Sequence, residues 1–91
     1  MEKVFKLSVY TPEKTIFSGD VSSLSAPGER GFFGVLADHA PFISSLIPGA
    51  ILLKDALGKN VVIQSGGKGF FEIVHNKAVV LLETVQSNNA T

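Results

Sequence analysis

Apolar and polar residues alternate at the start of the chain. Phe5, Leu7 and Val9 interleave with Lys6, Ser8 and Tyr10, which is the period of a strand with one face in a core. Thr11-Pro12-Glu13-Lys14 ends that pattern as a turn, because Pro12 pre-sets its φ and has no N–H for a ladder. A second extended run covers Thr15 to Ala26, with Gly19 expected to mark a bulge or bend. Pro27-Gly28-Glu29-Arg30-Gly31 is predicted as a loop, since one Pro and two Gly in five residues interrupt either regular pattern. Phe32 to Leu36 is a short apolar run and Asp38 to Pro41 a turn, while Phe42 to Ile47 is too short to assign by periodicity. Pro48-Gly49 suits a type II turn.

The second half reads as two hairpins. Ala50 to Lys54 and Asn60 to Gln64 are joined across Asp55-Ala56-Leu57-Gly58-Lys59, a loop of hairpin length with one Gly. Phe70 to Val74 and Ala78 to Glu83 flank His75-Asn76-Lys77. No window of helical period and useful length occurs. Many short strands with turns between them predict an all-β antiparallel sandwich or barrel, and the sandwich is preferred. Residues 1–86 form its single domain, and residues 87–91 a flexible polar tail.

Composition narrows the function. The 91 residues suffice for one domain. They are 45% hydrophobic and only 18% charged, with mean hydropathy +0.32, so some apolar surface is expected to remain for a partner. Eight basic and eight acidic residues cancel, leaving no field to attract nucleic acid or anionic lipid. There is no Cys, hence no disulfide framework, thiolate nucleophile or Cys-based metal site. No apolar run approaches the ~20 residues of a spanning helix, and Met1-Glu2-Lys3 leads into a strand pattern without a signal h-region. The expectation is an unexported protein with no direct membrane insertion.

Candidate chemistry is sparse. Ser65-Gly66-Gly67-Lys68-Gly69 has the glycines of a phosphate cradle, but a Walker loop needs Ser or Thr after its Lys, and then a helix. Here a strand pattern follows, so a bend between strands is the better reading. His39 and His75 are the only imidazoles and form no helical metal-binding pair. His75 is expected to be exposed beside Asn76; His39 either satisfies loop backbone or meets a partner. Asp38 next to His39 offers two members of a hydrolase triad, yet sequence neighbours rarely reach base-orienter geometry, and no nucleophile elbow is present. Glu13, Glu29, Glu72 and Glu83 are scattered, without an acid-base pair. No catalytic residue, cofactor or metal is assigned.

Aromatic residues are core by default, including Phe5, Phe17, Phe33 and Phe42. Phe32-Phe33 differs, because neighbours on a strand point to opposite faces and one of the two is expected to leave the core. Phe70-Phe71 poses the same question. An exposed Phe beside a Gly-rich loop is a protein-binding anchor.

Several segments, taken in order, resemble the epsilon subunit of F-type ATP synthase. They are Val9-Tyr10-Thr11-Pro12-Glu13, Ile16-Phe17-Ser18-Gly19, Gly31-Phe32-Phe33-Gly34-Val35-Leu36, His39-Ala40-Pro41, Leu46-Ile47-Pro48-Gly49, Ser65-Gly66-Gly67 and Glu72-Ile73. The resemblance runs from Phe5 to about Val85. It implies a β-sandwich of about ten short strands, a two-sheet architecture of the general kind described for all-β domains. It also implies a non-catalytic rotor component of the central stalk, bound to the gamma subunit and the ring of c subunits and linked indirectly to the catalytic head. That component couples proton transport to ATP synthesis on the cytoplasmic face of the bacterial cell membrane, through the complex.

The resemblance places Glu29, Arg30, Gly31 and Phe32 against the c ring. It places Thr11, His39, Ala40, Pro41, Phe42 and Ser44 toward gamma. Two departures accompany it. The chain ends at Gln86-Ser87-Asn88-Asn89-Ala90-Thr91, where the family usually continues into a helical hairpin that inhibits hydrolysis or binds ATP; a short form without those roles is expected. Lys68-Gly69 is a two-residue insertion after the double glycine, which a bulge or longer bend would absorb. The rival reading is a free-standing β-sandwich that binds a protein or small ligand in an apolar pocket.

Overall fold

A computed structural model describes residues 3–86 of the chain. Eight strands follow one another: β1 (Phe5–Tyr10), β2 (Thr15–Gly28), β3 (Gly31–Leu36), β4 (Phe42–Leu46), β5 (Gly49–Asp55), β6 (Asn60–Ser65), β7 (Gly69–Val74) and β8 (Lys77–Leu82). None of the described residues is helical. The polar tail 87–91 lies outside the described residues.

The strands number eight where the resemblance implied about ten, and β2 alone runs for 14 residues. Its first half pairs with β1, and its second half pairs with β3 and β5. The strand order β1-β8-β7-β4-β2-β5-β6, with β1 also on β2, rolls the sheet over on itself. One layer holds β4, β7, β8, β1 and the start of β2; the other holds β3, the end of β2, β5 and β6. Every strand pairing is antiparallel except β1 with β8, where Leu7 lies opposite Ala78 and Val9 opposite Val80. No hairpin joins these two, so nothing local requires them to run in opposite directions.

Three local expectations change. Gly19 sits in register opposite Leu7; one irregularity falls at Ile16, between the pairs Val9–Phe17 and Tyr10–Thr15, and another between Val21 and Ser23. There Ser22 is the extra residue, and Val21 and Ser22 are both buried although adjacent. A bulge of this kind bends the strand where β2 passes from one layer to the other. Pro27 and Gly28 belong to β2, and only Glu29 and Arg30 form the turn. Pro27 has no N–H to give, and its carbonyl accepts from the Ile47 N–H at 3.0 Å. Phe42 to Leu46, unassigned by periodicity, is a strand because β7 pairs along its length.

The β7–β8 turn shows its chemistry directly. His75 and Asn76 have φ of 50° and 60°, the signature of a type I′ two-residue hairpin. The core between the layers contains Phe5, Leu7 and Val9 of β1, Phe71 and Ile73 of β7, and Leu24, Ile51 and Val80, each at most 1% exposed. Burial of each such side chain stabilises by about 1.5–3 kcal/mol. The alternation in β1 thus carries through to packing: Phe5, Leu7 and Val9 point in, while Lys6 and Tyr10 are exposed.

Candidate functional site

The two doubled phenylalanines resolve as period 2 demands. Phe71 is fully buried and Phe33 packs against the core, while Phe32 is 60% and Phe70 40% exposed. Phe33, Phe42 and Phe71 cluster, with ring centroids 5.2 Å apart for Phe33–Phe42 and 5.3 Å for Phe33–Phe71. The His39 ring stands 5.7 Å from that of Phe42. This cluster fills the gap between β3 and β4, which lie in different layers and share no strand pairing. Beyond the β2–β4 bridge at Gly28 and Leu46, that side of the sandwich is closed by aromatic side chains rather than by a ladder.

The Glu29-Arg30 turn is held at the rim of this edge. The Glu29 N–H donates to the Ser45 carbonyl at 2.9 Å, and Gly31 adopts φ +129°, a value that glycine tolerates best. Gly28 has no room for a side chain: a Cβ there would lie 2.9 Å from the Gly31 carbonyl oxygen and 3.0 Å from the Phe33 ring. The turn is thereby drawn tight against β4 and projects Phe32 outward. A depression of about 570 Å³ is lined by Glu29, Arg30, Gly31, Phe32, Phe33, Phe42, Ile43, Ser44, Ser45 and Phe70.

The residues the resemblance assigned to the ring are thus neighbours of two assigned to gamma, Phe42 and Ser44. His39, Ala40 and Pro41 precede Phe42 on the same β3–β4 link; Ala40 and Pro41 are exposed and His39 half-buried. His39 Nδ1 is 2.7 Å from the Ala40 carbonyl oxygen, which can only accept, so Nδ1 carries the proton of this bond. In the neutral ring Nε2 is then the acceptor. Ser44 is half-buried, and its hydroxyl donates to the Ser45 carbonyl at 2.9 Å.

Thr11 sits elsewhere, in the β1–β2 turn, where its N–H donates to the Lys14 carbonyl at 2.9 Å. It borders a second depression, of about 490 Å³, whose lining includes Tyr10, Pro12, Lys68, Phe70 and Leu81. The two depressions share Phe70. Register explains the link, since Tyr10 lies opposite Leu81, Leu81 opposite Phe70 and Phe70 opposite Ser45. An apolar row of Tyr10, Leu81 and Phe70 therefore crosses the outer face of one layer and meets β4 at Ser45, next to the outward Ile43. Tyr10, Leu81 and Ile43 are apolar residues at outward positions of β1, β8 and β4, and that is the sequence signal for this surface.

Charged groups add one feature. Asp38, at φ +66°, accepts from Lys3 Nζ at 2.9 Å and from Asn76 Nδ2 at 2.9 Å, and its N–H donates to Asn76 Oδ1 at 2.6 Å. The Lys3 hydrogen bond, followed by that of Asn76 and by the charge of Lys3, holds the Asp38 carboxyl below its ordinary value. The same partner, through its hydrogen bond and then its charge, raises Lys3. With its carboxylate engaged by these two, Asp38 does not orient the His39 ring, whose Nδ1 serves Ala40. The hydrolase pair is absent in geometry as well as in spacing.

Other candidate chemistry fares similarly. Among the described residues no group of three or more His, Asp or Glu side chains could hold a metal ion. The Gly66–Lys68 bend is followed by β7, and Glu83 Oε1 accepts from the Lys68 N–H at 3.2 Å. A carboxylate occupies the amide that a phosphate cradle would offer to an anion. Lys68 lies in that bend, and Gly69 is the first residue of β7. Gly69 is the tightest point: a Cβ there would lie 2.6 Å from the Leu81 carbonyl oxygen.

Comparison with known proteins agrees with this architecture. The family described as "ATP synthase, Delta/Epsilon chain, beta-sandwich domain" matches residues 4–88. The chain is 41% identical over 86 residues to the ATP synthase epsilon chain of Desulfosudis oleivorans, covering 94% of this chain and 64% of that relative. It is 42% identical over 84 residues to the ATP synthase epsilon chain of Chlorobaculum tepidum, covering 92% of this chain and 94% of that one. In fold it is similar to a chain of the Euglena gracilis mitochondrial ATP synthase (OSCP/F1/c-ring), with TM-score 0.86 at 18% identity, over 97% of this chain and 56% of that chain. A chain of the Tetrahymena thermophila mitochondrial ATP synthase central stalk and c-ring gives TM-score 0.75 at 12% identity, over 98% of this chain and 70% of that chain. With a family match over nearly all its length and a relative matched almost end to end, the chain belongs to the ATP synthase epsilon chain family.

Proposed function

We propose that this chain is a non-catalytic rotor component of a rotary ATP synthase, bound to the gamma subunit and the c-subunit ring. It transmits rotation between proton transport and ATP synthesis and forms no bonds itself. It contacts the ring through Glu29, Arg30, Gly31 and Phe32. It faces gamma through Thr11, His39, Ala40, Pro41, Phe42 and Ser44. Its place is peripheral, on the cytoplasmic face of a bacterial cell membrane, through the complex.

The observation that carries this reading is the match, nearly end to end, to the Chlorobaculum tepidum epsilon chain. The geometry supports it. Phe32 projects from a tight turn with 60% of its surface exposed, and Ile43 is equally exposed beside the same depression. Large apolar side chains left in water at one edge are what a permanent partner covers. The depression at Tyr10, Phe70 and Leu81 is continuous with that edge, which favours a protein surface over the small-ligand pocket of a free-standing module.

Co-expression with gamma and the c subunit of the same organism tests the reading. The expected result is co-purification with gamma in one-to-one ratio, and with the ring when gamma is present. A folded chain that leaves both partners in the flow-through overturns it.

A further inference from the structure

Asn76 does more than complete a hairpin. Its φ of 60° suits the second position of a type I′ turn, which Gly or Asp would satisfy equally. Yet its side chain reaches the β3–β4 link, accepting from the Asp38 N–H at 2.6 Å and donating to Asp38 Oδ1 at 2.9 Å. Its main-chain carbonyl accepts from the Lys6 N–H at 2.9 Å. One residue therefore ties β1, the β7–β8 turn and the β3–β4 link together. The carboxamide offers the acceptor and the donor at once, on separate atoms; Asp would face the Asp38 carboxylate with its own charge, and Gly would offer neither.

The residue so held is in an unusual state. Asp38 has φ +66°, a left-handed conformation that an Asp tolerates without preferring. Its peptide aims the segment that follows, in which His39 Nδ1 meets the Ala40 carbonyl and the His39 ring stands against Phe42. Lys3 also reaches Asp38, but that ion pair is 79% and 55% exposed on its two sides and weak for that reason. The carboxamide pair is the directional element.

We propose that Asn76 is a positioning residue for partner binding: by clamping Asp38 it pre-organises His39, Ala40 and Pro41 in the conformation that the partner meets. This rests on the assignment of those residues to gamma made above. A segment already ordered in its bound form loses less entropy on association, and a segment populating that form only part of the time binds more weakly in proportion.

Asn76→Gly keeps the turn and removes the clamp; Asn76→Asp, which also suits the turn and keeps an acceptor, serves if the glycine variant does not fold. Amide exchange of Asp38, His39 and Ala40 in the free chain, thermal unfolding, and affinity for gamma are measured on the chosen variant, on His39→Ala and on the double variant. The expected result has three parts: cooperative unfolding is kept, exchange accelerates locally, and affinity falls about 10-fold, as for a binding form populated about a tenth of the time. That fall shrinks in the His39→Ala background, a coupling that a purely structural role would not produce. If affinity is unchanged, or falls equally in both backgrounds, the clamp has no positioning role. If His39→Ala itself binds gamma like the parent, the assignment of His39 fails and the inference fails with it.

Discussion

Phe33 of β3 and Phe42 of β4 meet edge to face, with centroids 5.2 Å apart and ring planes at 68°. Their strands are not paired with each other, so this contact spans the edge beyond the β2–β4 bridge at Gly28 and Leu46. Both rings also approach the buried Phe71, at 5.3 Å and 6.2 Å. The edge is thus shaped by the core beneath it.

Loss of one ring tests that dependence. Phe42→Ala is expected to destabilise by about 2–4 kcal/mol, near the range for a core Phe and including the edge-to-face term. Urea unfolding should show a lower midpoint with an unchanged slope. A shift of a few tenths of a kcal/mol would mean the cluster is ornamental to stability.

Phe32 makes the opposite case. Phe32→Asp should unfold like the parent within about 0.5 kcal/mol, as surface substitutions do, since its side chain is mostly in water. Reconstituted rotors should nevertheless lose affinity for the c ring, because the new charge would be desolvated at an apolar contact. Collapse of the fold would show that Phe32 supports the core; intact ring binding would remove it from the interface.

Gly69 opens β7 at a close approach to β8. Gly69→Ala is expected to cost about 1–3 kcal/mol, the scale of overpacking, because its Cβ would meet the Leu81 carbonyl oxygen at 2.6 Å and Leu82 Cδ2 at 2.7 Å. Backbone cannot yield as a flexible side chain can. Gly66→Ala is the control, as its nearest contact is the Gln86 side chain at 3.1 Å. Thermal unfolding of both variants should rank Gly69→Ala well below Gly66→Ala, and equal melting temperatures would contradict the close approach.

Acid should open the Asp38 clamp only late. Hydrogen bonds from Lys3 and then Asn76 depress the folded Asp38 below its ordinary value of 3.8. A depressed carboxyl contributes stability that is present above the ordinary value and lost as pH falls through the folded one. This group should therefore leave stability flat between neutrality and about pH 5 and act only in stronger acid. A carboxyl-detected NMR titration should give an Asp38 midpoint under 3.8, moving upward in Asn76→Gly. A midpoint at or above the ordinary value in the parent would show that the clamp does not persist in solution.

What the sequence disclosed follows from what is local. The alternation of Phe5, Leu7 and Val9 is a property of one strand, and it carried through to burial. The exposure of one Phe in each pair followed from period 2 alone; that Phe32 and Phe70 are the outward ones depended on which face the core takes. The join of β2 into a single strand, the parallel pairing of β1 with β8 and the existence of β4 are decided by distant partners. None of these leaves a mark in a short window. The Asp38–Asn76 pair was illegible for the same reason, since each residue reads alone as an ordinary turn former. The site positions came from ordered family motifs, and the structure gathers all of them except Thr11 around one edge.

Titration calorimetry of this chain into a complex of gamma with the catalytic head measures their association. The expected isotherm is single, saturating and one-to-one, with a heat that becomes more negative with temperature, because burial of apolar surface lowers the heat capacity. No heat of binding from a chain shown to be folded would contradict that association, and the exposed edge at Phe32, Phe42 and Ile43 would then belong to another partner.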